Sequence, residues 1–323
     1  MDNSAQTTQW ALGSLEATDF EVVGAMEPVQ QTPWSRVTRI LTTSGYVYLK
    51  TTTAGLALEP VIMHMLASQQ HAPVPQVIAL NRNLNCFLMS DCGQPLHNLL
   101  KQDFKPQLLI QALIKYTHIQ NTAVMQVRAF LRLGLPDWRL RQLPGIYEQL
   151  LQREAFLRND GLTAQELKNL YRMSYKFADL CNKLSEYDIP ETLDHCDFHD
   201  NNILIDRITG SLTIIDWGET VITQPFFSVL TCMDNLRRHY SIKEEDSVYI
   251  ALREVCLHNW LEIAPKATLL AAFKLAQKLW PVYAALGFYR LTMNSRIEEF
   301  TADPRNYGRI TRHLRDFLNI GTF

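Results

Sequence analysis

The residues best suited to chemistry lie between positions 191 and 220, in the segment ETLDHCDFHDNNILIDRITGSLTIIDWGET. Two β-branched runs, NILID and SLTIID, flank the connection RITG, which ends at Gly210. This pattern predicts an antiparallel hairpin. In such a hairpin the start of the first strand lies beside the end of the second. We therefore expect Asn202 and Asp216 to lie at the same end of the hairpin.

An amide oxygen and a carboxylate at one point are hard ligands, and together with phosphate oxygens they can hold Mg²⁺. Asp197 precedes Asn202 in the turn that leads into the same end of the hairpin. A carboxylate there can receive the proton of a hydroxyl nucleophile while a metal ion neutralises the phosphate. The spacing therefore predicts phosphoryl transfer, with Asn202 and Asp216 as metal ligands and Asp197 as the catalytic base or orienting group.

The elements that must position these residues begin with a strand-rich segment. Residues 34–53 predict two strands joined around Ser44 and Gly45, and VPQVIAL and CFLMS predict two more. Apolar residues recur at helical spacing between Leu58 and Leu66, which predicts a helix over 57–69 with Pro60 in its first turn. Residues 1–90 are therefore expected to form a small lobe of strands with one helix.

The remainder of the chain is expected to be mainly helical. The predicted helices are 96–102, 106–122, 143–156, 164–186, 226–240, 246–261, 266–295 and 304–318. Only 203–206 and 211–216 interrupt them with strand-like sequence. Asp91, Cys92 and Gly93 break the pattern and are the expected hinge between lobes 1–90 and 94–323. The sequence thus predicts an α+β fold of the protein-kinase type, with a β-rich N-lobe and a larger helical C-lobe.

Composition limits the class of partner. The 323-residue chain has a formal net charge of −2, with 47% hydrophobic and 20% charged residues, so no gross field favours nucleic acid or an anionic membrane. The six cysteines form no CxxC pair, which favours reduced thiols over a zinc site or disulfides. The start, MDNSAQTTQW, does not resemble a signal peptide, and no apolar run suits a membrane helix. We expect a cytoplasmic protein; its oligomeric state stays open.

The motif H-x-D-x₄-N at 195–202, followed by D-W-G at 216–218, resembles the catalytic loop and metal motif of the protein-kinase-like superfamily. The residues of this motif are similar to those of the aminoglycoside phosphotransferase and choline kinase branch, although Cys196 stands where glycine is usual. The upstream parts follow in order: Lys50 at a strand end, Glu59 in EPVIMHMLA, then VPQVI and FLMSDCGQPL. The resemblance covers most of the chain.

The resemblance implies a site for ATP, with GTP as a possible alternative, and for Mg²⁺. Lys50 would pair with the α- and β-phosphates, and Glu59 would hold Lys50 in place. The backbone of Ser90 to Cys92 would meet the adenine, with Met89 behind it. Outside this ordered set, Lys50 would be read as a snorkelling strand-end lysine and Glu59 as a carboxylate at the positive end of a helix.

Other residues of the motif carry further expectations. His195 is expected to orient the loop by hydrogen bonds. His199 occupies the place of the catalytic-loop lysine of protein kinases, so it would touch the γ-phosphate or the acceptor, or merely pack. Asp200 and Asn201 are expected to be turn residues.

Two further segments bear on the substrates. The phosphate-covering loop is expected between Gly24 and Ser35, yet GAMEPVQQTPWS holds one glycine, which does not favour close approach to phosphate. The stretch KLWPVYAALGFYRL concentrates aromatic residues that could cage a cationic or sugar-like acceptor, although core packing is the alternative. Its members of interest are Trp280, Tyr283, Phe288, Tyr289 and Arg290. The small excess of basic residues over 219–323 argues against a polycationic aminoglycoside.

Only ETVITQ separates Gly218 from the next predicted helix, and no Ala-Pro-Glu follows. A protein kinase has a long activation segment there, on which a peptide lies. The sequence therefore predicts a kinase acting on a hydroxyl of a small metabolite, such as an amino alcohol, amino acid, sugar or aminoglycoside-like compound. The alternative is a pseudokinase that keeps the fold as a nucleotide-binding or scaffold module.

Overall fold

A computed structural model describes residues 4–18 and 20–320. It has the predicted α+β architecture, in which a five-stranded antiparallel sheet is followed by a larger, mainly helical lobe. The sheet order is β1-β2-β3-β5-β4. Its strands are β1 (Val22–Gln31), β2 (Ser35–Thr42), β3 (Gly45–Thr52), β4 (Val77–Asn81) and β5 (Cys86–Ser90).

The N-lobe holds two helices, α1 (Ser4–Glu16) and α2 (Glu59–Gln70), so the expectation of one helix is wrong. The helix α1 packs on the sheet through Ala11 and Leu15, which are fully buried with Ile40 and Val47. With so narrow an apolar stripe, α1 gives a weak periodic signal in the sequence. The predicted α2 is confirmed, and Pro60 lies in its first turn.

The edge strand β1 occupies most of the segment expected to form a phosphate-covering loop. It is largely exposed and pairs with β2 through two irregularities in register, so its sequence lacks the alternation of a half-buried strand. Between β1 and β2 only residues 32–34 remain outside the strands. The expected loop is therefore a tight turn without glycine.

The helical lobe contains most of the predicted helices. Two of the predictions are wrong because each expected a single helix: residues 143–156 and residues 164–186 each form two helices. The break within 164–186 is at Met173 (φ −86°, ψ −2°). The last helix begins at Arg309 rather than 304, because Gly308 adopts a left-handed φ of 74°. None of the helices in the described ranges is long and apolar enough to cross a bilayer. The helices are α3 (Leu96–Gln102), α4 (Pro106–Ala123), α5 (Val127–Leu133), α6 (Leu143–Leu151), α7 (Glu154–Asn159), α8 (Ala164–Arg172), α9 (Ser174–Ser185), α10 (Phe227–Tyr240), α11 (Ser247–His258), α12 (Lys266–Met293), α13 (Ile297–Ala302) and α14 (Arg309–Ile320).

Short strands frame the motif segment. The predicted hairpin is confirmed as β8 (Ile203–Ile205) and β9 (Leu212–Ile214), paired antiparallel. Beside it, β6 (Gln94–Pro95) pairs with β8, and β7 (Thr192–Asp194) pairs with β10 (Val221–Thr223). The strands β6, β7 and β10 were not predicted, because two or three residues are too few to show a period.

The two lobes share a hydrophobic core through α2. Ile62, Met63 and Leu66 of this helix are buried in the same cluster as the apolar residues of the helical lobe. Burial of this apolar face fixes the helix against the C-lobe. As a result the N-terminal residue of α2, Glu59, lies next to the turn that follows β9.

Candidate active site

The hairpin brings Asn202 and Asp216 to one end, as the spacing predicted. Ile203 pairs with Ile214, and the backbone N–H of Ile215 donates to the carbonyl of Asn202 at 3.0 Å. The side-chain amide of Asn202 donates to both the backbone oxygen and the Oδ2 of Asp197, at 2.8 and 2.9 Å. The loop from 197 to 202 is thus closed on itself, and Asp197 is held at the same end.

Lys50, Glu59 and Asp216 converge from β3, α2 and the turn after β9. The Nζ of Lys50 lies 2.8 Å from Glu59 Oε1 and 2.6 Å from Asp216 Oδ1. Lys50 is 5% exposed, and its burial alone would lower the pKa of its amine. The two carboxylates outweigh that effect and raise the pKa of Lys50 above its ordinary value, so the amine is charged.

Backbone conformation at the D-W-G turn makes this convergence possible. Asp216 adopts the left-handed region (φ 68°, ψ 52°), which aspartate tolerates better than most residues. A Cβ at Gly218 would lie 3.3 Å from the Cβ of Leu56 and 3.4 Å from Glu59 Oε2. Glycine at 218 therefore leaves room for the start of α2, and burial there raises the pKa of Glu59 to about 7 although Lys50 opposes the shift.

His199 faces Asp197 in the catalytic loop. Its Nε2 lies 3.2 Å from Asp197 Oδ1, and its Nδ1 accepts the backbone N–H of Asn201 at 3.2 Å. The proton that faces Asp197 is therefore on Nε2. Enclosure in the cleft would lower the pKa of His199, but Asp197 raises it to about 9. Burial would raise the pKa of Asp197, but the neighbouring His199 and the Asn202 amide lower it below its ordinary value. His199 therefore does more than pack in the cleft, because it contacts the Asp197 carboxylate directly.

His195 and Trp217 fix the loop against the hairpin. The Nε2 of His195 lies 2.8 Å from the carbonyl oxygen of Ile215, and the imidazole meets the Trp217 indole edge-on at 4.7 Å between centroids. The indole N–H of Trp217 donates to the carbonyl of Ile214 at 3.0 Å. This hydrogen bonding agrees with the orienting role expected of His195.

Asp194 is a buried carboxylate that the sequence reasoning did not single out. It accepts the backbone N–H of Cys196 at 3.1 Å, and the Oγ and N–H of Ser228 at 2.6 and 3.0 Å. The hydroxyl of Tyr283 also donates to it. Burial outweighs these donors and raises the pKa of Asp194 to about 6. Asp194 therefore fastens the start of the catalytic loop to α10 and α12.

Asp194 also helps to hold Cys196 in a strained conformation. Cys196 has a φ of 68°, a region that favours glycine, which gives a physical reason for the glycine usual at this place in the motif. Its Sγ lies 3.0 Å from the hydroxyl oxygen of Tyr283, whose single proton is donated to Asp194. The departure from the motif is therefore accommodated by contacts rather than by a change of backbone.

Asp200 was expected to be a turn residue, and its environment contradicts a purely local role. It is 2% exposed and contacts His97 Nδ1 of α3 at 2.8 Å and the hydroxyl of Tyr240 of α10 at 2.5 Å. A carboxylate removed from water needs such partners. These partners are distant in sequence, so no local sequence pattern predicts the contacts. Asn201, in contrast, is exposed and fits the turn expectation.

The expected adenine-contacting segment runs from β5 directly onto the hairpin. Met89 and Ser90 end β5, and the Ser90 hydroxyl accepts the N–H of Gln76 at 3.0 Å. Within the described ranges, the N–H of Cys92 makes no hydrogen bond. Gly93 has a φ of 100°, and a Cβ there would lie 2.2 Å from the carbonyl oxygen of Ile205. Glycine at 93 thus lets the connection between the lobes touch the catalytic hairpin.

The turn between β1 and β2 is held by the segment that precedes α13. Arg296 donates through its backbone N–H to Pro33 at 2.8 Å and through its guanidinium to Thr32 at 2.9 Å, at the carbonyl oxygens in both cases. Glu299 forms ion pairs with Arg296 and Arg36, both at 3.3 Å. The glycine-poor turn is therefore anchored across the lobes, which sequence reasoning missed because the contacts span more than 260 positions.

A cavity of about 270 Å³ opens beside Asp197 and His199. Trp280, Tyr283 and Phe288 of α12 line it, so these three aromatic residues face the cavity as well as the core. Tyr289 instead packs against Phe156, and Arg290 donates to the carbonyl oxygen of Glu219 at 2.6 Å. The rest of the lining includes Trp34, Glu219, Asp234, Arg238, Arg309, Arg312 and His313.

The profile of the phosphotransferase enzyme family matches residues 47–265, about two thirds of the chain. The chain belongs to this family. The match contains Lys50, Glu59, the catalytic loop and the D-W-G turn, which are the parts that carried the resemblance. No curated protein sequence matches the chain significantly.

Solved structures of phosphotransferases share the fold. A macrolide 2'-phosphotransferase type I is similar over 96% of this chain and 97% of its own, at 13% identity and a TM-score of 0.59. An ethanolamine kinase of Plasmodium vivax is similar over 95% and 84%, at 9% identity and a TM-score of 0.60. A spectinomycin phosphotransferase, solved with ADP and spectinomycin, is similar over 96% and 93%, at 12% identity and a TM-score of 0.55. At these identities the similarity establishes the fold.

The residues expected to hold a metal ion in this family member have oxygen atoms available for coordination. Asn202 uses its amide nitrogen on Asp197, and within the described part of the chain no hydrogen bond reaches its Oδ1. The Oδ1 of Asp216 accepts a hydrogen bond from Lys50, and the Asp216 side chain is 33% exposed. Oxygen donors of this kind suit Mg²⁺ completed by phosphate oxygens. The donor set therefore fits the predicted ion.

Proposed function

We propose that this phosphotransferase is a small-molecule kinase that transfers the γ-phosphate of ATP, or of GTP, to a hydroxyl group of a small metabolite. The observation that carries the proposal is the convergence of two groups of residues on one cleft. Lys50, Glu59 and Asp216 form one buried ionic cluster, and Asp197 with Asn202 forms the second. Asp197 of the second group lines a cavity of about 270 Å³.

The nucleotide half of the proposal assigns roles along the lobe boundary. Lys50 binds the α- and β-phosphates, and Glu59 keeps its amine in place. The backbone of Ser90 to Cys92 meets the base, with Met89 behind it, and residues 91–93 form the hinge. The unpaired N–H of Cys92 supports this, because adenine and guanine both offer acceptors to such a donor. Structures of similar fold contain ADP or AMP-PNP.

Asn202 Oδ1 and the carboxylate of Asp216 would hold Mg²⁺, which supplies neutralisation of phosphate charge when bound. Asp197 then orients the acceptor hydroxyl and takes its proton as the oxygen attacks the γ-phosphorus and the bond to the β-phosphate oxygen breaks. The Asn202 amide and the Nε2 of His199 hold the two oxygens of Asp197 at the required place. Because both oxygens are hydrogen-bonded, the carboxylate is oriented before the acceptor binds.

Cavity size and the link after Gly218 support a metabolite as acceptor. A volume of about 270 Å³ lies below the range that encloses drug-sized ligands, which favours an amino alcohol, amino acid or sugar over a large antibiotic. Only residues 219–226 connect the D-W-G turn to α10, and they include β10. A peptide acceptor therefore lacks the long platform segment that protein kinases use.

The alternative is a catalytically inactive pseudokinase, and the observation that supports it is the turn between β1 and β2. This turn has no glycine, and the N–H groups of Thr32 and Ser35 are hydrogen-bonded within the turn, so its backbone amides are less free to surround phosphate. The ionic cluster around Lys50 favours the enzyme. A pseudokinase would act as a nucleotide-binding or scaffold module, and only the enzyme turns over.

A turnover screen separates the two. Purified wild-type protein with ATP and Mg²⁺ is assayed for ADP release against a panel of hydroxylated metabolites, with Asp197→Asn as the matched inactive variant. We expect at least one metabolite to stimulate ADP release by the wild type and not by the variant. ATP binding without stimulated release by any metabolite would support the pseudokinase instead.

A further inference from the structure

One wall of the cavity is basic. Arg238 of α10 and Arg309 and Arg312 of α14 line it. The acidic residue on this wall, Asp234, is already committed, because it forms ion pairs with Arg237 and Arg238. The charges of Arg309 and Arg312 are therefore left without a carboxylate from this wall.

Arg309 is a half-buried cation whose acidic neighbours in the cavity, Asp197 and Glu219, raise its pKa without forming an ion pair with it. Its guanidinium carbon lies 3.8 Å from the ring centroid of Phe288, which is a cation–π contact. Within the described residues it forms no ion pair and no hydrogen bond. Burial lowers the pKa of Arg309 to about 10, which reflects the cost of holding this charge out of water. A guanidinium stacked on an aromatic ring still presents its N–H edge to a ligand.

The position of these arginines in α14 is electrostatically unfavourable. Arg309 and Arg312 lie in the first turn of the helix, which has no acidic residue. The N-terminal end of a helix carries a partial positive charge, so cations there are destabilising. The first amides are satisfied by Asp160, which accepts the N–H of Gly308 at 2.9 Å and that of Thr311 at 2.8 Å. A guanidinium has no acceptor, so neither arginine can cap these amides.

His313 does not relieve the positive charge of this wall. The guanidinium of Arg312 lies 3.1 Å from its Nε2, which accepts and is therefore unprotonated. Burial and the neighbouring arginines lower the pKa of His313 to about 3, so the imidazole is neutral. In the part of the chain that the structure describes, the wall therefore has two arginines without an ion pair, Arg309 and Arg312, beside a neutral imidazole and aromatic surface.

We propose that Arg309 and Arg312, assisted by Arg238, bind an anionic group on the acceptor, either a carboxylate or a phosphate monoester. Planar guanidinium groups match both kinds of oxyanion with paired N–H donors. The same cavity contains Asp197, so one small molecule can place its anionic group on the arginines and its hydroxyl at the carboxylate. This inference rests on the proposed kinase function and names its substrate class, a hydroxylated acid or phosphorylated alcohol. It differs from the expected cage for a cationic or sugar-like acceptor.

Binding of matched probes tests the inference without turnover. Isothermal titration calorimetry on the full chain compares D-glycerate, glycerol 3-phosphate and glycerol, which differ in the anionic group. We expect at least one anion to bind about 10-fold or more tightly than glycerol, and the tighter of the two identifies carboxylate or phosphate. Arg309→Gln should lose that preference, Arg309→Lys should keep part of it, and affinity for ATP with Mg²⁺ should stay unchanged in both.

Arg305→Gln is the matched control, because Arg305 is 88% exposed and pairs with Asp303 outside the cavity. It should bind the probes as the wild type does. Equal affinity for all three probes, or an undiminished preference in Arg309→Gln, would overturn the inference. So would a selective loss of ATP affinity in Arg309→Gln, because the arginine would then serve the nucleotide.

The result is separable from a failure of the proposed function. If no metabolite is phosphorylated but Arg309→Gln abolishes anion binding, the kinase proposal fails and the anion site stands. If a cationic acceptor is phosphorylated and neither anion binds, the kinase proposal stands and the anion site is refuted.

Discussion

The replacement of Asp216 by asparagine tests the nucleotide site most sharply. Asp216 contributes the carboxylate at the hairpin end and lies 2.6 Å from Lys50 Nζ. The amide keeps the shape and one acceptor oxygen, and Lys50 keeps its 2.8 Å contact with Glu59, so the fold should persist. The proposed metal site, in contrast, loses its negative charge. We therefore expect Asp216→Asn to lose the Mg²⁺-dependent part of ATP binding.

The size of the effect follows from chain length and linkage. At an ATP concentration about 100 times the dissociation constant, binding stabilises the folded wild type by about 2.7 kcal/mol. A chain of 323 residues unfolds with an entropy of about 0.7 kcal/mol/K, so this stabilisation raises Tm by about 4 °C. Removal of one partner from a charged, hydrogen-bonded pair costs about 2–5 kcal/mol, and a loss of about 2.7 kcal/mol within this range is about 100-fold in affinity. The remaining stabilisation, about 0.4 kcal/mol, raises Tm by less than about 1 °C.

Differential scanning fluorimetry with ATP, Mg²⁺ and both together measures these shifts. Asp206→Asn is the matched control, because Asp206 lies in the turn of the same hairpin and accepts the N–H groups of Ile208 and Thr209 at 2.8 Å. This control should keep the full wild-type shift. A full Mg²⁺-dependent shift in Asp216→Asn, with the far-UV circular dichroism unchanged, would refute the assignment of this carboxylate.

Three further predictions concern Asp197, Lys50 and Asp194. Asp197→Asn should reduce kcat, measured by steady-state kinetics, by about 100-fold or more. The Kd of ATP with Mg²⁺, measured by calorimetry, should change little. Parallel losses of kcat and of ATP affinity would contradict the role of Asp197 as base or orienting group. Lys50→Met should lower the free energy of unfolding in urea by about 3–5 kcal/mol, because Glu59 stays buried without a cation. Adding Glu59→Gln should recover much of this lost stability. Additive losses in the double variant would refute the energetic coupling of Lys50 and Glu59. Asp194 has a pKa raised to about 6 from an ordinary 3.8, so its folded form binds protons more tightly and its contribution to stability is lost as pH rises from about 4 to about 6. The free energy of unfolding should fall by up to about 3 kcal/mol more across this window in the wild type than in Asp194→Asn, and equal pH slopes would contradict it.

The catalytic hairpin could be predicted because its signals are local. Two β-branched runs around a glycine-ended turn fix the register, and the register alone places Asn202 beside Asp216. The family motifs added the order of Lys50 and Glu59, and the structure brings both to Asp216. The helix α2 was equally readable from its spacing and from Pro60.

Other features depend on contacts between distant segments, and no local pattern encodes them. Asp200 looks like a turn residue until α3 and α10 supply His97 and Tyr240 as its partners. The edge strand β1 is exposed and irregularly paired, so its residues resemble a loop. Arg309 and Arg312 also look like ordinary surface charges of a polar helix. Only the packing of α14 against α12 places Arg309 over Phe288 and into the cavity.

The most direct measurement follows the phosphate itself. Wild-type protein and Asp197→Asn are incubated with γ-labelled ATP, Mg²⁺, a panel of hydroxylated metabolites and a mixed panel of proteins and peptides, and the labelled products are separated by chromatography. The account predicts stoichiometric label on the hydroxyl oxygen of a metabolite with the wild type, and about 100-fold less with Asp197→Asn. Label that accumulates on peptides with no metabolite phosphorylated, or equal labelling by the two proteins, would contradict it.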